Sequence, residues 1–479
     1  MYLQVFFGAM LFFILLALLL KSWELRPFTL LFAGIFNMIY IFYIFSNEVS
    51  SPLPGYLMFD SLGKIIYLGY SLLFLSLSVY AVDYLKLRHD RGNRIFIISM
   101  IINIVTTQIA CMSQDLGILW ASTEAATLSI APLIYFNRTK YAIEATWKFI
   151  LLTSIGIAIA LLGIYMVGYA AFQVSGHGTL NILELKHLTI LMDSKWLFFS
   201  TIFLTIGFSS KMGLAPFHWW KPDAYGEAPG LIGALLSGGL VSLAALCLLR
   251  VYQILSPSDI FVYYSNILLV LGIISLFFSA VFITHQNDLK RMLAYSSVEH
   301  VGIIAFGLGM GRAGAFAVIL HIFFNTIAKG VLFLSAGDIQ RMFRSKKTED
   351  ISGLISVSPI IAIIFLSGVL AGAGSPPSSL FVSEFLILLN TVKTGNLLLA
   401  VLFVIFLIFI FIGIITMTIK IVYGQKNTHA DSLDDFRPTP FMISSEIFLI
   451  LLVLIFTFYI PQNILNTLKG ATLLLGVKI

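Results

Sequence analysis

A chain of 479 residues that is 59% hydrophobic and only 11% charged carries far more apolar surface than a soluble core can hide. Uninterrupted runs such as 11–20, 360–370 and 400–415 exclude a soluble enzyme and point to an all-α polytopic membrane protein. The formal charge of +6 would suit nucleic acid or a lipid surface only if the basic residues clustered, and they fall instead on short loops between apolar runs.

With a crossing length of roughly 20 residues, the sequence predicts about fourteen transmembrane helices. They lie near 3–20, 27–46, 59–82, 94–111, 115–135, 148–172, 197–215, 230–250, 261–284, 293–311, 313–337, 358–390 (interrupted), 398–420 and 440–460. The first run has no basic residue before it and no small-residue cleavage site, so it reads as a retained span and not a signal peptide. Between each odd-numbered helix and the next even one fall Lys21 and Arg26; Lys86, Arg88, Arg91 and Arg94; Arg138, Lys140 and Lys148; Lys221, Lys290 and Arg291. The same side continues with Arg341, Arg344, Lys346, Lys347, Lys420, Lys426 and Arg437, against Lys186, Lys195, Arg250, Arg312 and Lys393 opposite. Positive charge stays on the cytoplasmic side, so both termini are expected outside. Cys111 and Cys247 lie in or beside apolar runs without CxxC spacing, which argues against a cluster, zinc site or disulfide framework held by this chain.

Two of the runs are broken. Lys211 closes one apolar segment and is followed at once by Gly213 and Pro216, so a helix ends beside a buried amine. In a bilayer, freed backbone is tolerated only where it is packed in protein or lines a wet cavity, and an intramembrane lysine is expensive without a partner. A second break, Ala371-Gly372-Ala373-Gly374-Ser375-Pro376-Pro377, follows about five spans later and leads into Glu384. An odd number of helices per repeat inverts the second copy, which is a usual arrangement around a midplane ion site.

Inside the spans the sequence places Glu124, Lys211, Lys329 and Glu384, with His300 and His321, and Asp60 and Lys64 at the interface. Glu124 needs a cation and Lys211 is the obvious one; moving the glutamate's charge would switch the lysine between holding and releasing a proton, while the plain alternative is a static pair locking two helices. His321, Asn325 and Lys329 are spaced by four and share one helical face, where an imidazole and ordered water can pass a proton, or where the histidine merely bonds a carbonyl. Glu384 is either an exit carboxylate or a charge capping the resumed half-helix. His300 and His218 are candidates for uptake or gating, Trp219 and Trp220 read first as surface anchors, and Glu144, Trp147 and Lys148 as a surface contact. No metal-ligand or nucleotide motif is apparent.

Three segments carry a resemblance: Lys211 with Ala215-Pro216-Phe217-His218-Trp219-Trp220-Lys221-Pro222-Asp223-Ala224, the stretch from Asp288 to Gly302, and His321-Ile322-Phe323-Phe324-Asn325-Thr326-Ile327-Ala328-Lys329. On these the chain resembles the antiporter-like, proton-translocating subunits of respiratory complex I, Mrp cation/proton antiporters and energy-converting hydrogenases. The elements around Trp120–Thr127, Tyr135–Lys140 and Pro376–Leu386 look most similar to the hydrogenase-4 (formate hydrogenlyase) F-type subunit. The resemblance covers about residues 58–425.

It implies two inverted five-helix repeats with helices 7 and 12 broken: residues 1–93 for helices 1–3, 94–256 for the first repeat, 257–425 for the second, and 426–479 for helix 14 and a tail. It also implies Glu124 and Lys211 as a glutamate–lysine pair, His321 and Lys329 as relay groups and Glu384 as the titratable residue of the second broken helix. Asn325 stands where many relatives have a second histidine, and Ser237 and Ser242 where relatives have a histidine or lysine on the eighth span. The expected function is proton translocation within a larger complex in a prokaryotic cytoplasmic membrane. Its partners would be other antiporter-like and small membrane subunits and peripheral hydrogenase or Fe–S subunits that hold the Ni–Fe and Fe–S centres, with no cofactor in this chain and no nucleic acid. The alternatives are an Mrp-type Na+/H+ antiporter subunit and a non-pumping membrane scaffold.

Overall fold

The computed structural model describes residues 2–47, 53–425 and 436–477. Among them every regular element is a helix, and the only strand-like pairings are isolated bridges such as Asp115 with Asn181. The order runs α1 (Tyr2–Leu19), α2 (Arg26–Ser46), α3 (Ser61–Leu87), α4 (Arg94–Met112), α5 (Leu116–Ile134), α6 (Lys140–Ser175), α7 (Ile182–Leu188), α8 (Ser194–Met212), α9 (Trp220–Glu227) and α10 (Gly230–Ala234). A π-helical turn, Leu235–Leu240, joins α10 to α11 (Val241–Leu255). Then come α12 (Phe261–Ile283), α13 (Leu289–Gly309), α14 (Ala315–Phe343), α15 (Leu354–Val357), α16 (Pro359–Gly372), α17 (Ser379–Lys393), α18 (Leu397–Tyr423), α19 (Pro440–Phe458) and α20 (Gln462–Leu474). Lys426 of the basic loops lies outside the described residues.

Twelve of the described helices are long and apolar enough to cross a membrane. The two interrupted segments fall outside that set. Lysines and hydroxyls dilute α8, and the second break divides its segment into α16 of 14 and α17 of 15 residues. The expected count of fourteen therefore stands or falls with counting each interrupted segment as a crossing. The sixth span is longer than expected because Thr139 caps it at Ala142 N and the helix runs unbroken for 36 residues.

Burial sorts the helices into an inner and an outer set. The crossing windows of α10–α11 and α14 are wholly buried, and those of α3 and α13 nearly so, whereas α1, α18 and α19 show most of their apolar surface to the outside. Close approach of neighbours depends on small residues, as expected where no hydrophobic effect separates helix from lipid. A Cβ on Gly156 or Gly163 of α6 would come within 2.6 or 2.8 Å of α8 side chains, and one on Gly272 of α12 within 2.5 Å of the Phe306 backbone on α13.

Both breaks turn on a glycine in the left-handed region. Gly213 (φ 74°) ends α8, its amide bonding the Ser209 carbonyl at 2.9 Å, and a Cβ there would strike Lys221 Cε at 2.3 Å. Gly374 (φ 62°) follows α16, and a Cβ there would lie 2.1 Å from Glu384 Oε2. Each break also contains a cis X-Pro bond, Ala215–Pro216 and Pro376–Pro377. The two breaks thus bring a buried charged residue against each glycine, Lys221 at the first and Glu384 at the second.

Candidate functional site: a buried polar series through the helix core

At the first break, α5, α6, α8 and α11 converge. Lys211, in the last turn of α8, is fully buried and places its Nζ 2.7 Å from the Thr123 carbonyl and 3.2 Å from Glu124 Oε2. Glu124 Oε1 accepts a 2.6 Å hydrogen bond from Ser154 of α6, and Thr123 Oγ1 sits 3.5 Å from Cys247 Sγ of α11. Both cysteines are free and buried. Just past the break, His218 is buried among Trp219, Phe278 and Tyr295, and neither ring nitrogen has a hydrogen-bond partner among the described residues. Trp219 is exposed, as an anchor should be, but Trp220 is wholly buried and donates from Nε1 to the Ser210 carbonyl at 3.1 Å. Its role is to fasten α9 back onto the end of α8.

At the second break the groups are spread along a chain of hydrogen bonds. Lys329 of α14 donates to Ser296 Oγ at 2.7 Å, and Ser296 Oγ donates to Glu299 Oε2 at 3.2 Å on the same face of α13. His300 Nε2 lies 2.8 Å from the Gly372 carbonyl, His300 Nδ1 lies 3.1 Å from His321 Nε2, and His321 Nδ1 lies 2.9 Å from Ser383 Oγ. A carbonyl only accepts, so His300 carries its proton on Nε2 and offers a lone pair at Nδ1, which His321 Nε2–H fills. His321 Nδ1 is then the one position free to gain or lose a proton. Ser383 Oγ is also 2.8 Å from the Leu380 carbonyl, so its single hydrogen points to Nδ1 when His321 is neutral and to Leu380 when His321 is charged.

Glu384, beside Ser383, is buried, and its carboxylate lies within 4.8 Å of ligand atoms of His300 and His321. Two histidines and a carboxylate at that spacing suit a metal ion, but holding one requires breaking the histidine–histidine bond or the bond to Gly372. Ser378, bonding Phe381 N, caps α17, so the capping role considered for Glu384 belongs to Ser378.

Between the halves, Ser242 Oγ and Thr326 Oγ1 are 2.6 Å apart. Ser237 Oγ, on the π-helical turn, Asn325 Oδ1 and the Tyr225 hydroxyl are buried without hydrogen-bond partners among the described residues. Ordered water characteristically satisfies buried polar atoms of this kind.

Several buried charges escaped the sequence reading. Lys221, counted there as a loop residue, is fully buried and reaches Ser297 Oγ at 3.3 Å, with no carboxylate in ion-pair range among the described residues. Lys290, also counted as a loop residue, is buried and donates to the Ala228 carbonyl at 2.7 Å. Arg250, assigned to the opposite loops, is fully buried and clamps Asp60 with Nη2 3.0 Å from Oδ1. Glu299, Asp338 and Glu446 are buried acids as well. All but Glu299, which sits in the middle of α13, lie within a turn or two of a helix end, where hydropathy alone reads a boundary. For Glu299 and Lys221 a signal was present: each sits in a motif already dense with polar groups.

The protein-family model described as NADH:quinone oxidoreductase/Mrp antiporter, TM, matches residues 113–410, which span both breaks and the whole series from Glu124 to Glu384. The chain belongs to that family. It is 37% identical over 295 residues to a Hydrogenase-4 component F homolog of Methylacidiphilum infernorum (isolate V4), an alignment covering 61% of this chain and 62% of that protein, so less than two thirds of that relative's length is matched. It is 29% identical over 332 residues to NADH-quinone oxidoreductase subunit N of Ruthia magnifica subsp. Calyptogena magnifica, covering 67% of each chain. Its fold matches a chain in the structure of the membrane-bound sulfane sulfur reductase, an archaeal respiratory membrane complex, with a TM-score of 0.87 over 99% of this chain and 97% of that one at 20% identity. An all-helical, multi-pass membrane protein with the fold of antiporter-like subunits is thus established.

Proposed function

We propose that the chain is the proton-translocating, antiporter-like membrane subunit of a multisubunit energy-converting hydrogenase or a related complex. The observation that carries this reading is the fully buried Lys211 held against Glu124 at a helix break. A static clamp needs neither the break nor the polar series that continues beyond it. Glu124 and Lys211 form the switching pair, Lys329 with His321 the relay, and Glu384 the exit carboxylate. His300 fixes the tautomer of His321, and His218, Asn325 and Ser242 line the passage. The orphaned atoms of Ser237, Tyr225 and Asn325 support a water-bridged crossing in place of a titratable group on the eighth span.

In this reading residues 94–256 and 257–425 are inverted repeats, flanked by 1–93 and 426–479, and the left-handed glycine that follows the first half of each broken segment supports that division. Fourteen crossings, both termini outside and a prokaryotic cytoplasmic membrane complete it. Ni–Fe and Fe–S centres belong to peripheral partners, a placement supported by the name of the hydrogenase-4 relative. The Mrp-type Na+/H+ reading is kept by the family description itself. A non-pumping scaffold is kept by the serines of the eighth span.

Membrane vesicles test the proposal: Lys211→Ala and Glu124→Gln should abolish proton uptake while the protein still assembles, and unchanged uptake favours the scaffold. Mass spectrometry of what copurifies from gently solubilised native membranes then separates the rest. Hydrogenase and iron–sulfur proteins support the energy-converting complex; small hydrophobic antiporter subunits alone support the Mrp-type reading.

A further inference from the structure

His300 of α13, His321 of α14 and Glu384 of α17 meet beside the second break, from three helices that no sequence spacing links. One ligand atom of each lies within 4.8 Å of the others, and all three side chains are buried. His300 Nδ1 and His321 Nε2 face each other at 3.1 Å. Each ring is held from behind by its other nitrogen, His300 Nε2 at 2.8 Å from the Gly372 carbonyl and His321 Nδ1 at 2.9 Å from Ser383 Oγ. Glu384 is only 8% exposed, yet its carboxylate forms no hydrogen bond or ion pair among the described residues. With Gly374 it lines a cavity of about 250 Å³ that is bounded by Phe403, Leu407 and Phe411 of α18.

A carboxylate buried without a donor or a counter-charge in contact is unfavourable, so Glu384 is a ligand in want of a cation. The two ring nitrogens beside it decide which kind. Imidazole suits zinc and its transition-metal neighbours, whereas calcium and magnesium ask for six or more oxygens that this site lacks. Tetrahedral zinc with bonds of about 2.0 Å sets its ligand atoms roughly 3.3 Å apart, so the facing nitrogens already stand at nearly the required separation. Each ring has only to turn until its lone pair meets an ion lying off the line between them. Glu384 has further to come, and its terminal torsions and the cavity give it room.

We propose that His300 Nδ1, His321 Nε2 and a Glu384 oxygen form a binding site for a divalent transition-metal ion of the zinc type, with water from the cavity in the fourth position. Of the contacts described above, only the histidine–histidine bond has to open. The hydrogen on His321 Nε2 moves to Nδ1, and the hydroxyl hydrogen of Ser383 turns from Nδ1 to the Leu380 carbonyl, so both imidazoles stay neutral and neither gains nor loses a proton overall. Glu384 binds as the carboxylate, and a proton it carries leaves to water in the cavity. Both rings then donate from the nitrogen that does not bind the ion, His300 to Gly372 and His321 to Ser383, which is the outer support that metal-bound histidines ordinarily have. A filled site parts His321 from His300 and keeps Nδ1 protonated, so the ion and a mobile proton exclude each other. That blocking effect rests on the proton-moving reading above; the site itself does not.

Zinc K-edge X-ray absorption reads the ligands directly, using the full chain in native lipid, with whatever subunits accompany it, and one equivalent of Zn2+. Scattering from two imidazoles, with oxygen at about 2.0 Å, is expected. In competition with a zinc indicator, His300→Gln, His321→Gln and Glu384→Gln should each weaken binding by about 100-fold or more, and Ser383→Ala by roughly 10-fold. A wild-type spectrum without imidazole, or spectrum and affinity unchanged in all of these variants, means an adventitious ion only and overturns the site. Where Glu384→Gln does not fold, Glu384→Asp should still weaken binding, and an unchanged affinity counts against the site equally. Zn2+ should also slow proton uptake by wild-type vesicles. Zinc seated on these ligands with uptake unchanged upholds the site and removes His321 from the relay, while Lys211→Ala vesicles without zinc test the relay itself, so the two readings fail separately.

Discussion

At the first break a lysine meets its counter-charge directly, with Glu124 Oε2 at 3.2 Å and the Thr123 carbonyl at 2.7 Å. At the second, Lys329 meets no carboxylate directly among the described residues and reaches Glu299 through Ser296, while Glu384 is the neighbour of a serine that ends a two-histidine chain. In the proposed reading the first arrangement stores charge, because its energy lies in one short-range pair in a low-dielectric site. In the same reading the second conducts, because the proton on His321 Nδ1 and the hydrogen of Ser383 can move within a fixed heavy-atom frame.

The largest way to break that contrast is to remove one member of the stored pair. Lys211→Ala should cost about 3–5 kcal/mol of stability because it strands Glu124, towards the lower end since that carboxylate is partly exposed. The double variant Lys211→Ala/Glu124→Gln should recover a good part of the loss, as measured by denaturation in detergent; equal losses would show that the pair is not coupled. On the conducting side stability should move less and transport more. His321→Ala is expected to slow proton uptake roughly 100-fold, the scale of a single positioned proton carrier, Ser383→Ala only a few-fold, and Ser383→Thr hardly at all.

The smallest effect concerns a surface pair away from both breaks. His177 Nε2 lies 2.6 Å from Glu184 Oε1, and the hydrogen bond to Glu184 holds the imidazole above its ordinary value, while bonds from Thr179 and His177 hold the Glu184 carboxyl below its own. The histidine's contribution is full below its unfolded value of about 6.5 and is lost as pH rises through the raised folded value; the glutamate's is lost as pH falls through its depressed one. Hydrogen exchange in α7 should therefore respond to His177→Ala in mildly acidic solution and become insensitive to it at alkaline pH.

Much of the fold was legible because bilayer physics leaves few choices: apolar runs set the spans, and glycine and proline beside Lys211 and Gly374 mark the breaks. Glu124 and Lys211 were legible as a pair because each is costly alone. Lys221, Lys290 and Arg250 were not, since a basic residue near a helix end looks the same in sequence whether it faces a loop or turns inward. Asp338 and Glu446 lie 108 positions apart in the chain, and each is buried only by the packing of its own helix, α14 or α19, against its neighbours. The π-helical turn that exposes Ser237 to the core left no trace in hydropathy at all.

Ser383 has one hydrogen and two acceptors, the Leu380 carbonyl and His321 Nδ1. Choosing between them is a hydroxyl rotation, complete in picoseconds to nanoseconds. That link therefore adds almost nothing to the time a cycle takes. Any slower step in this half has to come from the elements that carry the groups, above all the glycine and proline hinge ahead of α17, whose motions belong to the microsecond-to-millisecond range. The pace of the second half would then be set by backbone and its direction by side chains.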